Sequence, residues 1–227
     1  MKDDYKQKIY LEIHNSFFEK ILIKKRKEIL SQIKDFLRNK EIADVLDVGT
    51  TEDDRNSSSN YLIKNLGNFK NYKSISDQQI STVFFSKTLK KSITDDFNQN
   101  EIESFQSDLV ISNATIEHVG NFDNQIQMCK NIINLSKKYF VITTPNRFHP
   151  IEFHTKIPLI HWLPKKLHRR ILNLMGLNFL DKEKNLNLLS EFDLKFIMKK
   201  LCQENYEIRS INFFFIKSNL ILIGKKY

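Results

Sequence analysis

A short apolar run that ends at a glycine constrains this chain more than any other feature. Val45-Leu46-Asp47-Val48-Gly49 leads into Thr50-Thr51-Glu52-Asp53. Val45 to Val48 reads as a buried parallel strand. Gly49 permits a sharp exit, and the loop after it can deliver the chain to a helix. In doubly wound sheets, small molecules sit at the carboxyl ends of strands, where the connections diverge. The chain is therefore expected to be α/β, with its site along one sheet edge.

The loop bears on the ligand. A turn that binds a dinucleotide needs several glycines, so that backbone N–H groups can approach a pyrophosphate. Here Gly49 stands alone and Glu52, Asp53 and Asp54 follow it. Carboxylates repel a diphosphate. They suit a ligand with an ammonium group, a sulfonium and ribose hydroxyls, as in S-adenosylmethionine. A solvated acidic turn accounts for the same residues, and this stretch alone does not separate the two readings.

Two further strands end in the same way. Ser107-Asp108-Leu109-Val110-Ile111-Ser112-Asn113 runs into Ala114-Thr115-Ile116-Glu117-His118-Val119-Gly120. Tyr139-Phe140-Val141-Ile142-Thr143-Thr144 closes on Pro145-Asn146-Arg147. Polar chemistry at three strand ends is the expected arrangement when one edge of a parallel sheet carries the site. In these segments the chain resembles class I S-adenosylmethionine-dependent methyltransferases. The stretch from Thr143 to Arg170 and the Asp-Val-Gly-Thr-Thr loop resemble a bacterial branch that lacks the usual Gly-x-Gly-x-Gly. The resemblance spans roughly residues 42–224. It implies a Rossmann-like, seven-stranded, mostly parallel sheet flanked by helices, with a C-terminal antiparallel hairpin. It also implies S-adenosylmethionine as cofactor and methyl transfer as activity.

Composition narrows the alternatives. A chain of 227 residues fits one α/β domain with a full core. No apolar run approaches a membrane span, and the opening MKDDYKQKIYLEIHN has no secretory core. Cys129 and Cys202 have no ligand-like spacing and read as buried thiols of a reducing cytoplasm, where the protein is expected to reside. The net charge of +9 invites a nucleic-acid partner, but no aromatic-basic platform accompanies it. A small-molecule substrate is expected instead. The oligomeric state is not legible.

Along the chain, residues 1–40 read as a basic helical segment, with Ile9, Ile13, Phe17 and Ile21 at near-helical spacing. Residues 41–227 read as the methyltransferase domain. Its first strand is expected over 42–48, a helix over 55–65, a second strand over 72–76 and a weak third over 91–94. The fourth and fifth strands follow at 108–112 and 139–143, with a helix over 122–135 between them. Residues 146–187 form an insertion. Ser190 is a good N-cap for a helix over 191–205. The chain closes with strands over 206–216 and 220–224, joined by Lys217-Ser218-Asn219.

Each candidate residue carries two readings. Asp47 holds a cofactor ammonium directly or through water, or it braces the loop. Gly49, Thr50 and Thr51 shape the turn beside the cofactor. Asp77 accepts the ribose hydroxyls, or it is a turn aspartate. Asp96, or Asp95, bonds an adenine amino group with Phe97 packed on the ring, or the pair is a solvated turn. Asn113 faces the ligand from the fourth strand. His118 orders the substrate or takes a proton from it, as the candidate catalytic group, or with Glu117 it braces the loop.

Glu117, Asn146, Arg147, His149 and His154 are the expected acceptor-side residues. His149, His154, His161 and His168 crowd the insertion with Glu152 nearby, but their spacing is not that of a zinc motif on one helix face. No metal is expected, and dispersed polar contacts are preferred. The segment around Trp162 carries Lys156, Lys165, Lys166, Arg169 and Arg170. It reads as a substrate lid, as a helix touching anionic lipid, or as an amphipathic helix packed on the sheet edge. The expected function is methyl transfer to a small-molecule or lipid-associated acceptor. The rival is a binding or scaffold protein that kept the fold and lost turnover.

Overall fold

The computed structural model describes residues 16–52, 59–81, 83–152, 154–155, 157–213 and 215–226. Its centre is a seven-stranded sheet in the order β3-β2-β1-β4-β5-β7-β6. The strands are β1 (Asp44–Val48), β2 (Asn71–Ser76), β3 (Lys87–Lys90), β4 (Ser107–Asn113), β5 (Ser136–Pro145), β6 (Tyr206–Phe213) and β7 (Ile216–Lys225). The first five run parallel, and β7 pairs antiparallel with both β5 and β6. The order reverses direction at β1, between β2 and β4, which is where a doubly wound sheet opens a crevice. This is the expected fold class.

Alternation along the strands splits the core between two faces. Leu46, Val48, Val110, Phe140 and Ile142 share one face with Met128 and Ile132 of α4 (Phe122–Leu135) and Leu194, Ile197 and Met198 of α6 (Glu191–Lys200). Val45, Leu109, Ile111 and Val141 share the other with Ile29, Leu30 and Ile33 of α1 (Ser16–Leu37) and Leu62 and Ile63 of α2 (Tyr61–Asn65). Fully burying such side chains stabilises by about 1.5–3 kcal/mol each. Between β3 and β4 lies α3 (Gln99–Phe105), opened by an Asn98–Glu101 capping box. The insertion contributes a 3-10 turn at Ile160–Trp162 and α5 (Lys165–Leu174). It has a small core of its own from Leu172, Leu180, Leu186 and Leu188. Ser190 caps α6 as expected, its hydroxyl accepting from Asp193 N and its N–H donating to the Asp193 carboxylate.

Several expectations are corrected. The third strand is Lys87–Lys90, not 91–94, since 93–95 form a turn. The final turn lies just before Ile216, and Lys217-Ser218-Asn219 belongs to β7, with Ser218 fully buried. Phe215 stands at that turn almost completely exposed, so an aromatic run that looks like strand is partly hairpin tip. Cys202 is exposed after α6 at φ 52°, whereas Cys129 is buried as expected. Ile9, Ile13, Asp53, Asp54, Lys156 and the start of the helix expected over 55–65 lie outside the described residues. Among the described residues no helix is long and apolar enough to cross a membrane.

One glycine is demanded by packing. Gly224 lies opposite Phe140 in the β5–β7 ladder, and a Cβ there would stand 2.0 Å from the ring. The ring covers the bare backbone. Gly224→Ala should therefore destabilise the fold by about 1–3 kcal/mol, the usual cost of overpacking. Urea unfolding checks this, and Phe140→Leu in the same chain should recover part of the loss.

Candidate functional site

The carboxyl edge of the sheet is assembled from the loops after β1, β2, β4 and β5. At β1, Gly49 has φ +89°, and its N–H donates to Ile75 O at 2.9 Å. A Cβ at Gly49 would come 2.2 Å from the Thr115 hydroxyl. Both the backbone conformation and the loop after β4 thus require glycine here. Gly49→Val would test the fold before it tested any ligand.

Thr50 explains the glycine-poor loop. It is buried, and its hydroxyl donates to Asp47 Oδ2 at 2.5 Å while accepting from Ser74 Oγ at 2.7 Å. Its carbonyl accepts from Ser76 Oγ at 2.7 Å. These bonds tie β1 to β2 with side chains where a glycine loop would present bare backbone. Thr51 is exposed, and Asn60 clasps it, accepting from its N–H and donating to its carbonyl. The Glu52 carboxylate accepts from the hydroxyl and the N–H of Ser81, so it bridges to the loop after β2.

Asp47 is the buried acid of β1. Burial pushes its carboxyl up to about 6, against the pull of the Thr50 hydrogen bond. Asp77 follows β2 and is exposed. Asp96 is exposed, and Phe97 is half-buried against the core with the Lys91 ammonium 4.8 Å over its ring. They line a cavity of about 140 Å³ with Ile102, Gln127, Lys130 and Asn131. That is below the roughly 300 Å³ at which small-molecule sites begin.

Beyond β4 the chain turns hard. Ala114 sits at φ 52°, a left-handed conformation that costs a non-glycine residue about 1–2 kcal/mol. The Asn113 side chain is engaged, its Oδ1 accepting from Thr143 Oγ1 at 2.6 Å. The 3-10 turn Ile116–His118 is then clamped from two sides. Buried Gln125 donates to Ile116 O and Asn187 O, and Asn187 N donates to Glu117 O at 2.7 Å. Glu117 is fully buried as a result. Its Oε2 accepts from the Thr144 hydroxyl at 3.0 Å, while Oε1 finds no partner among the described residues.

His118 meets His154 across the sequence. Their Nε2 atoms lie 3.2 Å apart, with the rings nearly perpendicular. His154 Nδ1 lies 2.5 Å from Glu152 Oε1, and His118 Nδ1 lies 2.7 Å from Asn185 O. Those oxygens accept from Nδ1–H of each ring, so the two Nε2 atoms face one another, as two lone pairs when both rings are neutral and around one shared proton when His154 is charged. Burial alone would raise Glu152. The His154 ring and two backbone N–H groups outweigh that and hold it at about 2. Burial alone would lower His154, and the Glu152 charge raises it. Burial and the His154 charge lower His118.

The remaining insertion residues act as braces. Asn146 donates to Lys217 O and accepts from Phe148 N. Arg147 donates to His161 O and Leu163 O. His149 Nδ1 pairs with Ile151 O, and its carbonyl accepts from His161 and Trp162. The expected acceptor-side group therefore divides. Glu117, His118 and His154 converge, while Asn146, Arg147 and His149 hold the insertion in place. The basic rim is thinner than its sequence suggests, since Lys165 donates to Asn187 Oδ1 and Arg169 pairs with Glu183 at 3.0 Å. Lys166 and Arg170 stay exposed beside Leu167, Leu174 and Met175. Thr115, Gln125, Thr144 and Asn187 pack on or bond the residues of this edge, and sequence reasoning missed them.

No protein-family model and no curated protein matches the chain. Solved structures do match its fold. Magnesium protoporphyrin IX methyltransferase (ChlM) from Synechocystis PCC 6803 with bound SAH superposes with TM-score 0.55 at 12% identity, covering 100% of this chain and 94% of that one. The 1,6-didemethyltoxoflavin-N1-methyltransferase of Burkholderia thailandensis gives 0.55 at 10%, covering 99% and 86%. N-methyltransferase NodS from Bradyrhizobium japonicum WM9 gives 0.53 at 8%, covering 90% and 96%. The fold is that of S-adenosylmethionine-dependent methyltransferases.

Asp47 carries a stability cost that can be measured. Its carboxyl has a value of 3.8 unfolded and about 6 folded, so the native state binds the extra proton between those values. The associated stability is full below the lower value and is lost as pH rises through about 6. Asp47→Asn should stabilise the chain above that pH by on the order of 1–3 kcal/mol and flatten the profile between pH 4 and 7. Urea titrations of both chains across that range check it. A mutant less stable than wild type at pH 8 would show that the carboxylate is needed by its surroundings.

Proposed function

We propose that this chain binds S-adenosylmethionine at the carboxyl edge of its sheet and transfers the methyl group to a small-molecule or lipid-associated acceptor. One observation carries the reading. Asp47, Gly49, Asp77 and Asn113 stand at or beside the ends of adjacent strands β1, β2 and β4, at the switch in strand order. Enzymes of the same fold have been crystallised with SAM or SAH.

The residues fit such a ligand. Asp47 is a buried carboxylate with one hydroxyl partner, suited to an ammonium group directly or through water. Asp77 is exposed beside it in the next strand end, suited to ribose hydroxyls. Gly49 lets Thr115 of the loop after β4 pack directly against the turn. Asp96 and Phe97 are the proposed adenine side. When bound, S-adenosylmethionine supplies a methyl group on a sulfonium that is already a good leaving group. The protein's task is then to align the nucleophile and exclude water. Glu117, His118 and His154 form the proposed acceptor wall. The insertion closes over it, braced by Arg147.

A second reading has its own support. Thr50 spends its hydroxyl and carbonyl on β2, which fills the turn in the manner of a scaffold that no longer turns over. Isothermal titration with S-adenosylhomocysteine separates binding from none, and product analysis separates turnover from binding alone. Asp77→Ala should weaken that binding by about 1–3 kcal/mol. Binding should also weaken below pH 6 as Asp47 takes its proton, by about tenfold at pH 5 relative to pH 7.5. Affinity that does not change over this range would remove Asp47 from contact with the ammonium group.

The exposed Leu167, Leu174 and Met175 beside Lys166 and Arg170 favour an acceptor presented at an anionic lipid surface. Sedimentation with phosphatidylglycerol vesicles should be lost at high salt and in a Lys166→Glu, Arg170→Glu chain. Equal sedimentation of both chains would make the helix a solvated face.

A further inference from the structure

We propose that Glu117, His118 and His154 form a binding site for a divalent first-row transition metal ion such as zinc. The proposal stands on geometry. A carboxylate oxygen of Glu117 and ring nitrogens of His118 and His154 all lie within 4.8 Å of one another. The two Nε2 atoms are 3.2 Å apart. Two nitrogens bound about 2.0–2.1 Å from one ion stand roughly 2.8–3.4 Å apart, from right-angled to tetrahedral arrangements. The histidines are thus already at ligand spacing.

The surroundings are those of a metal site as well. Each ring has its other nitrogen held, His154 by the Glu152 carboxylate and His118 by the Asn185 carbonyl. Such partners fix the tautomer and aim the remaining lone pair at the ion. Glu152 is itself fixed, accepting from His154 N and Thr155 N. Glu117 is oriented by the Thr144 hydroxyl through one oxygen. Its other oxygen is fully buried and lacks a partner among the described residues. A buried ionised oxygen without a partner is costly, and a cation removes that cost.

Donor type selects the ion. Two imidazoles and one carboxylate suit zinc, cobalt, iron or nickel better than magnesium or calcium, which prefer all-oxygen shells. Three protein ligands leave at least one position open, as at sites where a metal holds a substrate oxygen. The site lies after β4, with Thr115 of the same loop against Gly49. It binds metal whether or not the sheet edge holds S-adenosylmethionine, so its test needs no methyl acceptor.

The test is a titration of chelator-treated, full-length protein with zinc chloride and, separately, cobalt chloride. One equivalent should bind, and cobalt should give the visible absorption of a nitrogen- and oxygen-ligated ion. His118→Ala and His154→Ala should each weaken binding by at least about tenfold, and the isosteric Glu117→Gln should do the same. Glu152→Gln touches no metal, and should weaken binding by about 10–100-fold through His154. His168→Gln, elsewhere in the insertion, should leave it unchanged. Circular dichroism without metal shows which variants fold. Absence of stoichiometric binding by the wild-type chain overturns the proposal, because no variant is then needed to interpret it. Undiminished binding by folded His118→Ala and His154→Ala chains overturns it too.

Discussion

Three carboxylates buried along one sheet edge set the terms for the rest of this molecule. Asp47, Glu117 and Glu152 are each less than a tenth exposed. Removing an ionised carboxylate from water costs several kcal/mol unless something nearby compensates. The chain answers each acid differently. Asp47 has a hydroxyl and a raised pKa. Glu152 has a histidine and two backbone donors, enough to keep it ionised. Glu117 has one hydroxyl on one oxygen. The compensation is weakest at Glu117, whose other oxygen has no partner among the described residues. A fold that only needed stability would have placed apolar groups there.

Most of the sheet was legible because buried strands leave a strong local signal. β1, β4 and β5 are short apolar runs closed by polar residues, and the structure puts them side by side in the middle of the sheet. β3 lacked that signal. Lys87-Thr88-Leu89-Lys90 is an edge strand with exposed lysines at both ends, chemistry that protects an edge from further pairing and hides it from pattern reading. The last hairpin was placed too late for the opposite reason. Asn212 to Ile216 is rich in aromatics and reads as continuous strand, although Phe215 stands exposed at the tip.

The site was legible in its parts and not in its pairing. Strand-end logic singled out Asp47, Gly49 and Asp77, and the structure sets each at or beside the end of β1 or β2. Glu117 and His118 were marked for the same reason. Nothing local joins His118 to His154, which lies 36 residues further on. Spacing rules for metal sites look along one helix face. Here one histidine leaves a 3-10 turn after β4, and the other leaves a loop whose shape is set by Glu152 accepting from its own neighbours. Thr50 was read as a loop residue open to ligand. Its burial depends on Ser74 and Ser76 of β2, which only the parallel pairing of β1 with β2 brings within reach.

The division of the site between two kinds of structure bears on where specificity resides. The strand ends belong to the sheet, and the sheet is shared with enzymes that act on unlike acceptors. The insertion has its own small core around Leu172, Leu180, Leu186 and Leu188, a tie to β7 through Asn146 and a tie to the loop after β4 through Asn187. It delivers His154 and Glu152 to the edge, whereas Glu117 and His118 come from the loop after β4. The convergence of Glu117, His118 and His154 therefore requires both pieces in register, and Asn187 is the joint. It accepts from Lys165 of α5, donates to Gly120 O and through its N–H holds Glu117 O. A side chain change in the insertion can then move His154 and Glu152 while the strand ends keep their places, so the two pieces can vary independently.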